Sequence, residues 1–311
     1  MATSGALASS LGYNTAASVA PNENRKASED PSMTNRHRIV VSAENNPYAA
    51  WQTKLFYYSC VTRLNHQPLV IVHETGQKWH PDFYDLVKAG GIVRTAPSYR
   101  ATSAYNYYPR NTAGTLFHAV EFCDSQDDFI VLFDSDMIFL RKPWFPESLA
   151  AASYTNMNYD RDEVRIAGER LGIAPEVVAA RAKDLCCGVP YVIPTGEARL
   201  LADAWLEAID AFPGLTQGDM MHAFGLAVIK LGLDVILTQT VDLNFWPYEK
   251  PRADVIHYGY GDSTWNKRDY FTAEQAPNVW NPAVEAPSDT ILGEILAQIR
   301  EAAEFYSNTS F

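Results

Sequence analysis

Apolar and polar positions alternate along this chain in a way that predicts strands separated by helices. Strand-like runs occupy residues 37–43, 68–73 and 92–95, and apolar side chains fall at helical spacing in residues 48–63 and 81–89. Strands that alternate with helices in this order are typical of an α/β domain with a largely parallel sheet. We therefore predict that fold class.

The same alternation continues through the second half of the chain. Segment 128–140 begins as a strand and residues 191–193 form a short one, whereas segment 245–280 is aromatic and irregular. The helical segments share an amphipathic or Ala-rich pattern and lie at 112–123, 160–184 (two surface helices), 197–212, 219–231 and 289–306. No composition shift divides this part of the chain, so we predict one domain over residues 35–311.

The first 34 residues differ from everything that follows. They are rich in Ser, Ala and Asn and show neither helical nor alternating periodicity, which predicts a disordered tail over residues 1–34. A plastid-type transit peptide is the alternative. Against it, the only basic residues there are Arg25 and Lys26, and Glu29 and Asp30 follow them.

Charge and cysteine content indicate which ligands the protein is not expected to bind and in which cellular compartment it is expected. The chain carries 25 Lys and Arg against 37 Asp and Glu, a net charge of −12, which gives no global reason to bind nucleic acid or anionic lipid. No apolar run reaches the roughly 18–20 residues of a membrane span. Four cysteines, two of them adjacent at Cys186 and Cys187, fit a reducing compartment. We expect a soluble, cytoplasmic protein, with organelle targeting by the tail left open.

The clearest chemical motif follows the most apolar strand. Residues 129–133 read Phe-Ile-Val-Leu-Phe, which implies burial on both faces of a sheet, and Asp134-Ser135-Asp136 comes next. Ligands of open α/β sheets bind at the carboxyl ends of strands, and Mn²⁺ or Mg²⁺ takes one or two carboxylates together with phosphate oxygens. Asp134 and Asp136 are therefore candidate metal ligands. The alternative is a strand-end turn in which they cap backbone groups.

A histidine motif near the C-terminus adds a third candidate ligand. His257 follows two apolar residues and precedes Tyr-Gly, and Trp265, Lys267 and Arg268 come shortly afterwards. A neutral imidazole suits the same metal, and the Trp and basic side chains would close over a diphosphate. The alternative is a histidine packed at a strand end. Aromatic residues that are candidates to stack on a sugar or base, with core packing as the alternative, are Trp51, Tyr107, Tyr108 and Trp265.

A carboxylate also stands at a predicted helix start. Asp219 follows Thr-Gln-Gly and opens the helix that contains His222 one turn on. The helix dipole stabilises a charged carboxylate there, so Asp219 is a candidate base or a partner for a developing cation at a sugar carbon. The alternative is an ordinary helix N-cap.

The turn after the first predicted strand is polar. Ser42 and Glu44 lie in Val-Ser-Ala-Glu-Asn-Asn-Pro-Tyr, where side-chain and backbone acceptors would contact a nucleobase and ribose. The turn has neither a G-x-G-x-x-G nor a P-loop pattern, so dinucleotide and P-loop chemistry are not indicated. The alternative is a helix start that Asn46 caps.

Taken in order, these motifs resemble the hydroxyproline O-arabinosyltransferase and peptidyl-serine α-galactosyltransferase group of GT-A-fold enzymes. Residues 46–58 are similar to the first helix of that family, and Asp134-Ser135-Asp136-Met137 is similar to its Asp-Pro-Asp segment. Residues 218–225 resemble its Glu-Met-Tyr-Gly helix start, and residues 257–259 its His-Tyr-Gly. The resemblance extends over residues 37–275.

The resemblance implies a single GT-A-type, Rossmann-like domain that transfers a sugar from a nucleoside-diphosphate donor, with UDP as the expected nucleotide, to a hydroxyl of a peptide or glycan. It implies Mn²⁺ or Mg²⁺ held by Asp134, Asp136 and His257. Asn111 stands in a Pro-Arg-Asn-Thr segment similar to the family's Asn-Lys/Arg-Pro. The residues assigned to the donor are Ser42, Glu44, Asn111, Asp134, Ser135, Trp265 and Lys267.

The role of Asp219 depends on the stereochemistry. In an inverting enzyme it would act as base on the acceptor hydroxyl, and in a retaining enzyme it would stabilise the oxocarbenium-like centre. Two other functions stay open. One is a non-catalytic sugar- or nucleotide-binding module. The other is a sugar-phosphate nucleotidyltransferase, which needs a Gly-rich basic loop where Glu44-Asn45-Asn46-Pro47 stands.

Overall fold

Strands and helices alternate along the part of the chain that the computed structural model describes. Those residues are 36–74, 76–101, 106–124, 127–154, 157–216, 218–243, 247–259 and 261–308. The predicted tail, residues 1–34, lies outside the described residues. Within them, no helix combines the length and the apolar character needed to cross a membrane.

The described strands are β1 (His37–Glu44), β2 (Leu69–Glu74), β3 (Ile92–Pro97), β4 (Phe129–Asp134), β5 (Met137–Phe139), β6 (Ala150–Ser153), β7 (Cys187–Pro194), β8 (Ile236–Thr238), β9 (Val241–Leu243) and β10 (Val255–His257). The α-helices are α1 (Pro47–Leu64), α2 (Pro81–Lys88), α3 (Arg110–Ala119), α4 (Asp162–Arg170), α5 (Pro175–Arg181), α6 (Ala198–Asp210), α7 (Asp219–Leu231) and α8 (Ile291–Asn308). Short 3₁₀ helices lie at Val120–Phe122, Ala182–Leu185, Lys267–Tyr270 and Ala276–Trp280.

The central sheet is mostly parallel. Seven of the described strands form it in the order β3-β2-β1-β4-β7-β6-β8. Strands β3, β2, β1 and β4 are parallel to one another, and β6 is parallel to β8. Strand β7 runs antiparallel to both of its neighbours, β4 and β6. The predicted α/β class with a mostly parallel sheet flanked by helices is therefore confirmed, and the arrangement is consistent with a Rossmann-like fold.

Strand β4 lies in the middle of this sheet because its side chains have no polar face. The five residues from Phe129 to Phe133 are all buried, as a strand covered on both faces requires. Helix α3 packs against β1 and β2, and α6 packs against α3 and α7. The continuous apolar run thus ends at Asp134 on the carboxyl edge of the sheet.

After Asp134 the chain leaves the central sheet and enters a smaller one. Strand β5 pairs antiparallel with β10, and β10 pairs in parallel with β9, so the segment predicted to begin as a strand at 128–140 is divided between two sheets. The irregular segment predicted at 245–280 contains β10 and two 3₁₀ helices. Three-residue strands carry too little periodicity for a pattern to detect them.

A second core lies between the small sheet and two long helices. Trp51 and Leu55 of α1, Ile256 of β10 and Ile295 of α8 are fully buried in it. The side-chain amide of Gln298 in α8 donates a 2.9 Å hydrogen bond to the Phe139 carbonyl. Helix α8 therefore holds β5 in place and, through it, the strand that carries His257.

Candidate functional site

A cavity of about 980 Å³ opens at the carboxyl ends of β1 and β4. It lies where the topology of an open α/β sheet favours ligand binding. Its walls combine the ends of these strands, the starts of α1, α3 and α7, and the segment between β10 and the last 3₁₀ helix. Of the sequence-predicted site residues, it is lined by Ser42, Glu44, Asn111, Asp134, Ser135, Asp136, His257 and Lys267.

Strand pairing brings the three predicted metal ligands together. Ser42 of β1 lies directly beside Asp134 in the parallel register of β1 and β4. In the small sheet, His257 is the partner of Met137, and the Tyr258 N–H donates a 3.0 Å hydrogen bond to the Asp136 carbonyl. These backbone hydrogen bonds hold the His257 segment next to the Asp134–Asp136 segment. They therefore fix the position of the imidazole relative to the two carboxylates.

The ligand atoms of Asp134, Asp136 and His257 are spaced to bind a divalent cation. One ligand atom from each of Asp134, Asp136 and His257 lies within 4.8 Å of the others. His257 Nε2 and Asp136 Oδ1 are 3.2 Å apart. Metal–ligand bonds of about 2.1 Å at right angles place donor atoms about 3 Å apart, so this pair is spaced as neighbouring ligands of an octahedron.

Tyr154 orients the histidine and was not predicted from the sequence. Its hydroxyl lies 2.9 Å from His257 Nδ1 and 3.1 Å from the Val189 carbonyl oxygen. When the hydroxyl donates to Val189, it accepts the proton on Nδ1, so that in the neutral imidazole the lone pair is on Nε2, on the side of the carboxylates. A polar partner of this kind is typical of metal-ligating histidines.

The two carboxylates differ in charge state. Burial, together with the negative charge of Asp136, raises the pKa of Asp134 to about 6, and His257 and Lys267 oppose that shift. Burial alone would raise the pKa of Asp136 as well, but the Lys267 ammonium and His257 outweigh it and hold that pKa well below its ordinary value. Asp136 is therefore the more firmly ionised member of the pair.

Lys267 lies inside the cavity rather than at its mouth. The side chain is buried, and its ammonium forms an ion pair with Asp136 Oδ2, on the opposite side of the carboxylate from His257. It also lies 5.9 Å from the centroid of the Tyr48 ring. The sequence predicts contact between Lys267 and a diphosphate, and the structure places its charge directly beside the metal-ligand candidates.

Glu44 and Asn111 form a polar wall of the cavity. Asn111 Nδ2 donates to Glu44 Oε1 at 3.2 Å, and Arg100 donates to Glu44 Oε2 at 3.2 Å. The carboxamide oxygen of Asn111 accepts the Tyr99 N–H at 2.7 Å. Burial raises the pKa of Glu44, while Arg100, Asn46 and Asn111 act against that shift. The network holds both side chains in fixed positions.

Asp219 lies behind the cavity wall. Its side chain is 0 % exposed and accepts hydrogen bonds from the Thr216 N–H at 2.6 Å, the Thr216 hydroxyl at 2.9 Å and Arg161 at 2.7 Å. The residues of this segment that line the cavity are Gly218, Met220 and Met221. The structure therefore does not bring Asp219 to the other site residues, and its role as a base stays a prediction. Gln217 lies outside the described residues.

The aromatic candidates divide between core and cavity. Trp51, Tyr107 and Trp265 are buried, and the Trp265 ring packs against Tyr258 and Tyr270, away from the cavity lining. Tyr108 is exposed and lines the cavity. Arg268, expected with Lys267 to close over a diphosphate, also lines the cavity. Other lining residues, which were not predicted, include Gln52, Arg100, Tyr154, Phe271, Thr272 and Gln275. Their sequence neighbourhoods carry no motif that distinguishes them from surface positions.

Comparison with protein-family models and with curated proteins finds no match. The geometry of the cavity is therefore the basis for a functional interpretation.

Proposed function

We propose that this protein is a metal-dependent glycosyltransferase of GT-A type that moves a sugar from a nucleoside-diphosphate donor to an acceptor hydroxyl. One observation carries the proposal: two carboxylates and an oriented imidazole meet at the carboxyl edge of a mostly parallel sheet, on the wall of a cavity large enough for a nucleotide sugar. UDP is the nucleotide we expect.

Asp134, Asp136 and His257 are the residues that would hold Mn²⁺ or Mg²⁺. Such an ion supplies positive charge that stabilises the departing nucleoside diphosphate. The fit rests on the donor set, because carboxylate oxygens suit both ions and the histidine is presented through Nε2. Lys267 adds a second positive charge at the same carboxylate, within a buried setting where charge interactions are strong.

The polar wall of Glu44 and Asn111 suits the nucleoside part of the donor. Glu44 presents carboxylate oxygens that accept from ribose hydroxyls, and Asn111 holds that carboxylate in position. Ser42 lies beside Asp134 at the end of β1, so it joins this wall to the metal-ligand candidates. Fixed polar groups of this kind orient a ligand with little loss of side-chain freedom.

In this proposal Asp219 is a positioning residue. Its carboxylate is held by Thr216 and Arg161, and it fixes the first turn of α7, from which Met220 and Met221 reach the cavity. This positioning role is compatible with both inverting and retaining transfer, which place different demands on the residues around the acceptor.

A non-catalytic sugar- or nucleotide-binding module is the second candidate function. The ion pair between Lys267 and Asp136 favours it, because an ammonium neutralises that carboxylate without a metal. Such a module would bind its ligand equally well with and without a divalent cation. Metal dependence of binding therefore separates the two candidates.

The test measures melting temperature and release of nucleoside diphosphate across a panel of nucleotide sugars, with Mn²⁺ or with a chelator. A transferase shows a melting-temperature rise and slow donor hydrolysis that need both Mn²⁺ and one donor, since ligands that bind the folded state stabilise it. His257→Ala should abolish the Mn²⁺ dependence. His118→Ala is the matched control, because His118 also contacts a tyrosine hydroxyl, at 2.8 Å from Tyr99, and does not line the cavity.

A metal-independent melting-temperature rise without donor hydrolysis would favour the binding module. No response to any nucleotide sugar, with or without metal, would overturn the proposed function.

A further inference from the structure

Two exposed aromatic side chains lie at the mouth of the cavity. Among the large apolar side chains that are exposed in the described part of the chain, Tyr108 at 52 % and Phe271 at 59 % line it. Exposed aromatic rings that line a cavity offer apolar faces to a ligand. Their position therefore indicates a ligand surface that extends beyond the metal-ligand candidates.

The two rings come from separate segments of the chain, and the Phe271 ring packs against another aromatic ring. Phe271 follows the 3₁₀ helix Lys267–Tyr270, and its ring lies 4.9 Å from the Tyr48 ring, tilted by 47°. Tyr108 precedes α3, and burial around its hydroxyl raises the pKa of the phenol to about 12, with the charges of Lys267 and Asp134 also reaching it.

Polar groups accompany the Phe271 ring. Thr272 and Gln275 are exposed and line the same cavity. The Thr272 N–H donates a 3.1 Å hydrogen bond to Gln275 Oε1, which fixes the side chain and leaves its NH₂ group as a donor. An apolar ring next to hydroxyl and carboxamide groups matches the surface of a saccharide, whose C–H face is apolar and whose edge carries hydroxyls.

A peptide that binds by strand addition has no sheet edge to pair with among the described strands in this cavity. A peptide that binds by adding a strand needs a sheet edge with unpaired backbone groups. The strands that reach the cavity are β1, β4, β7 and β10, and each of them is paired on both sides in the described structure. A saccharide needs no such edge, because it binds through its ring faces and hydroxyls.

We propose that the acceptor of this enzyme is a saccharide whose ring lies against Tyr108 and Phe271. This inference rests on the proposed function and names the acceptor class that it leaves open. The donor diphosphate belongs beside Asp134, Asp136 and His257, and Tyr108 and Phe271 line the same cavity outside that cluster. Tyr108 and Phe271 are therefore specificity residues for the acceptor.

The experiment uses the full chain, Mn²⁺ and the donor found in the panel above. Release of nucleoside diphosphate is measured with methyl glycosides and short oligosaccharides, with peptides that contain serine or hydroxyproline, and with no acceptor. We expect saccharides to stimulate release. Phe271→Ala and Tyr108→Ala should each raise the KM for the saccharide about tenfold, and in each variant this rise should exceed the change in the donor KM.

Two variants sharpen the result. Phe271→Trp keeps an aromatic face and should restore the acceptor KM to within about threefold of the wild type. Tyr248→Ala is the matched control, because Tyr248 is 53 % exposed but does not line the cavity, and it should change nothing.

Unchanged acceptor KM in both alanine variants would overturn the inference, as would stimulation by peptides alone. A rise in donor KM in Phe271→Ala that exceeds the rise in acceptor KM would overturn it too, since the ring would then contact the donor. Donor hydrolysis that no saccharide stimulates removes only this inference, whereas a complete absence of donor hydrolysis and binding removes the proposed function as well.

Discussion

Asp136 and Asp219 each lie beside a histidine and a cation, yet only one of them reaches the cavity. Asp136 pairs with Lys267 and lies 3.2 Å from His257 Nε2. Asp219 pairs with Arg161 at 2.7 Å, and His222 Nδ1 lies 3.8 Å away. Thr216 then supplies two more hydrogen bonds to Asp219.

The two carboxylates differ in which residues donate hydrogen bonds to them. Thr216 of its own turn donates twice to Asp219 Oδ2, Arg161 donates to Oδ1, and the carboxylate does not line the cavity. Asp136 receives side chains from a distant segment, and the cavity borders it. Asp219 is thereby suited to stabilise the fold, and Asp136, which lines the cavity, is suited to contact a ligand.

The largest effect should come from Asp136→Asn. Removal of an outer-shell partner of a metal typically costs about 10- to 100-fold in affinity, so loss of a direct ligand should weaken Mn²⁺-dependent donor binding by more than about 100-fold. Titration calorimetry with Mn²⁺ and the donor measures it. Asp128→Asn is the control, because Asp128 lies at the opposite end of the same strand segment and pairs with Arg36. Equal affinities in the two variants would contradict the metal site.

Asp219→Asn should act on stability instead. The buried charge-assisted bonds to Arg161 and Thr216 are lost or weakened, which should lower the free energy of unfolding by about 2 kcal/mol. Urea denaturation measures this change, and Mn²⁺ affinity of the folded variant should stay at the wild-type value. In Glu169→Gln, which breaks an exposed pair with Arg165, no change should be measurable. A stable Asp219→Asn protein with abolished transfer would make Asp219 a direct participant in the reaction.

The smallest effect should come from Tyr154→Phe. Without the hydroxyl, His257 loses the acceptor for its Nδ1 proton, and Mn²⁺ affinity should fall about tenfold. Tyr159→Phe is a close match, because the Tyr159 hydroxyl donates to the Leu185 carbonyl at 2.9 Å and is equally buried. Both variants should lose about 1 kcal/mol of stability, but only Tyr154→Phe should lose metal affinity. Parallel losses of affinity would mean that Tyr154 acts through packing alone.

Local pattern was enough for one half of the candidate site. The apolar run from Phe129 to Phe133 predicts a buried strand, and Asp134 and Asp136 follow it directly in the sequence. Their place at the carboxyl end of a strand could therefore be predicted from neighbouring residues alone. The limits of α7 followed from its pattern as well, with Gly232 closing the helix at a φ of 66°.

The other half depends on contacts between distant segments. Tyr154 follows β6, an Ala-rich strand without β-branched residues, so neither that strand nor the tyrosine stands out in the sequence. The buried position of Asp219 depends on Arg161, which precedes α4. His257 was singled out by a motif, but its proximity to Asp136 arises from the pairing of two three-residue strands.

That pairing has a consequence for how the chain folds. Lys267 follows Asp136 by 131 residues, and β10 must find β5 across a similar loop. Contacts of such long range form late, because loop closure must be completed first. As the chain leaves the ribosome, the two carboxylates emerge well before their imidazole and ammonium partners. Binding of a divalent cation would therefore distinguish a chain that has finished folding from one that has only built its central sheet.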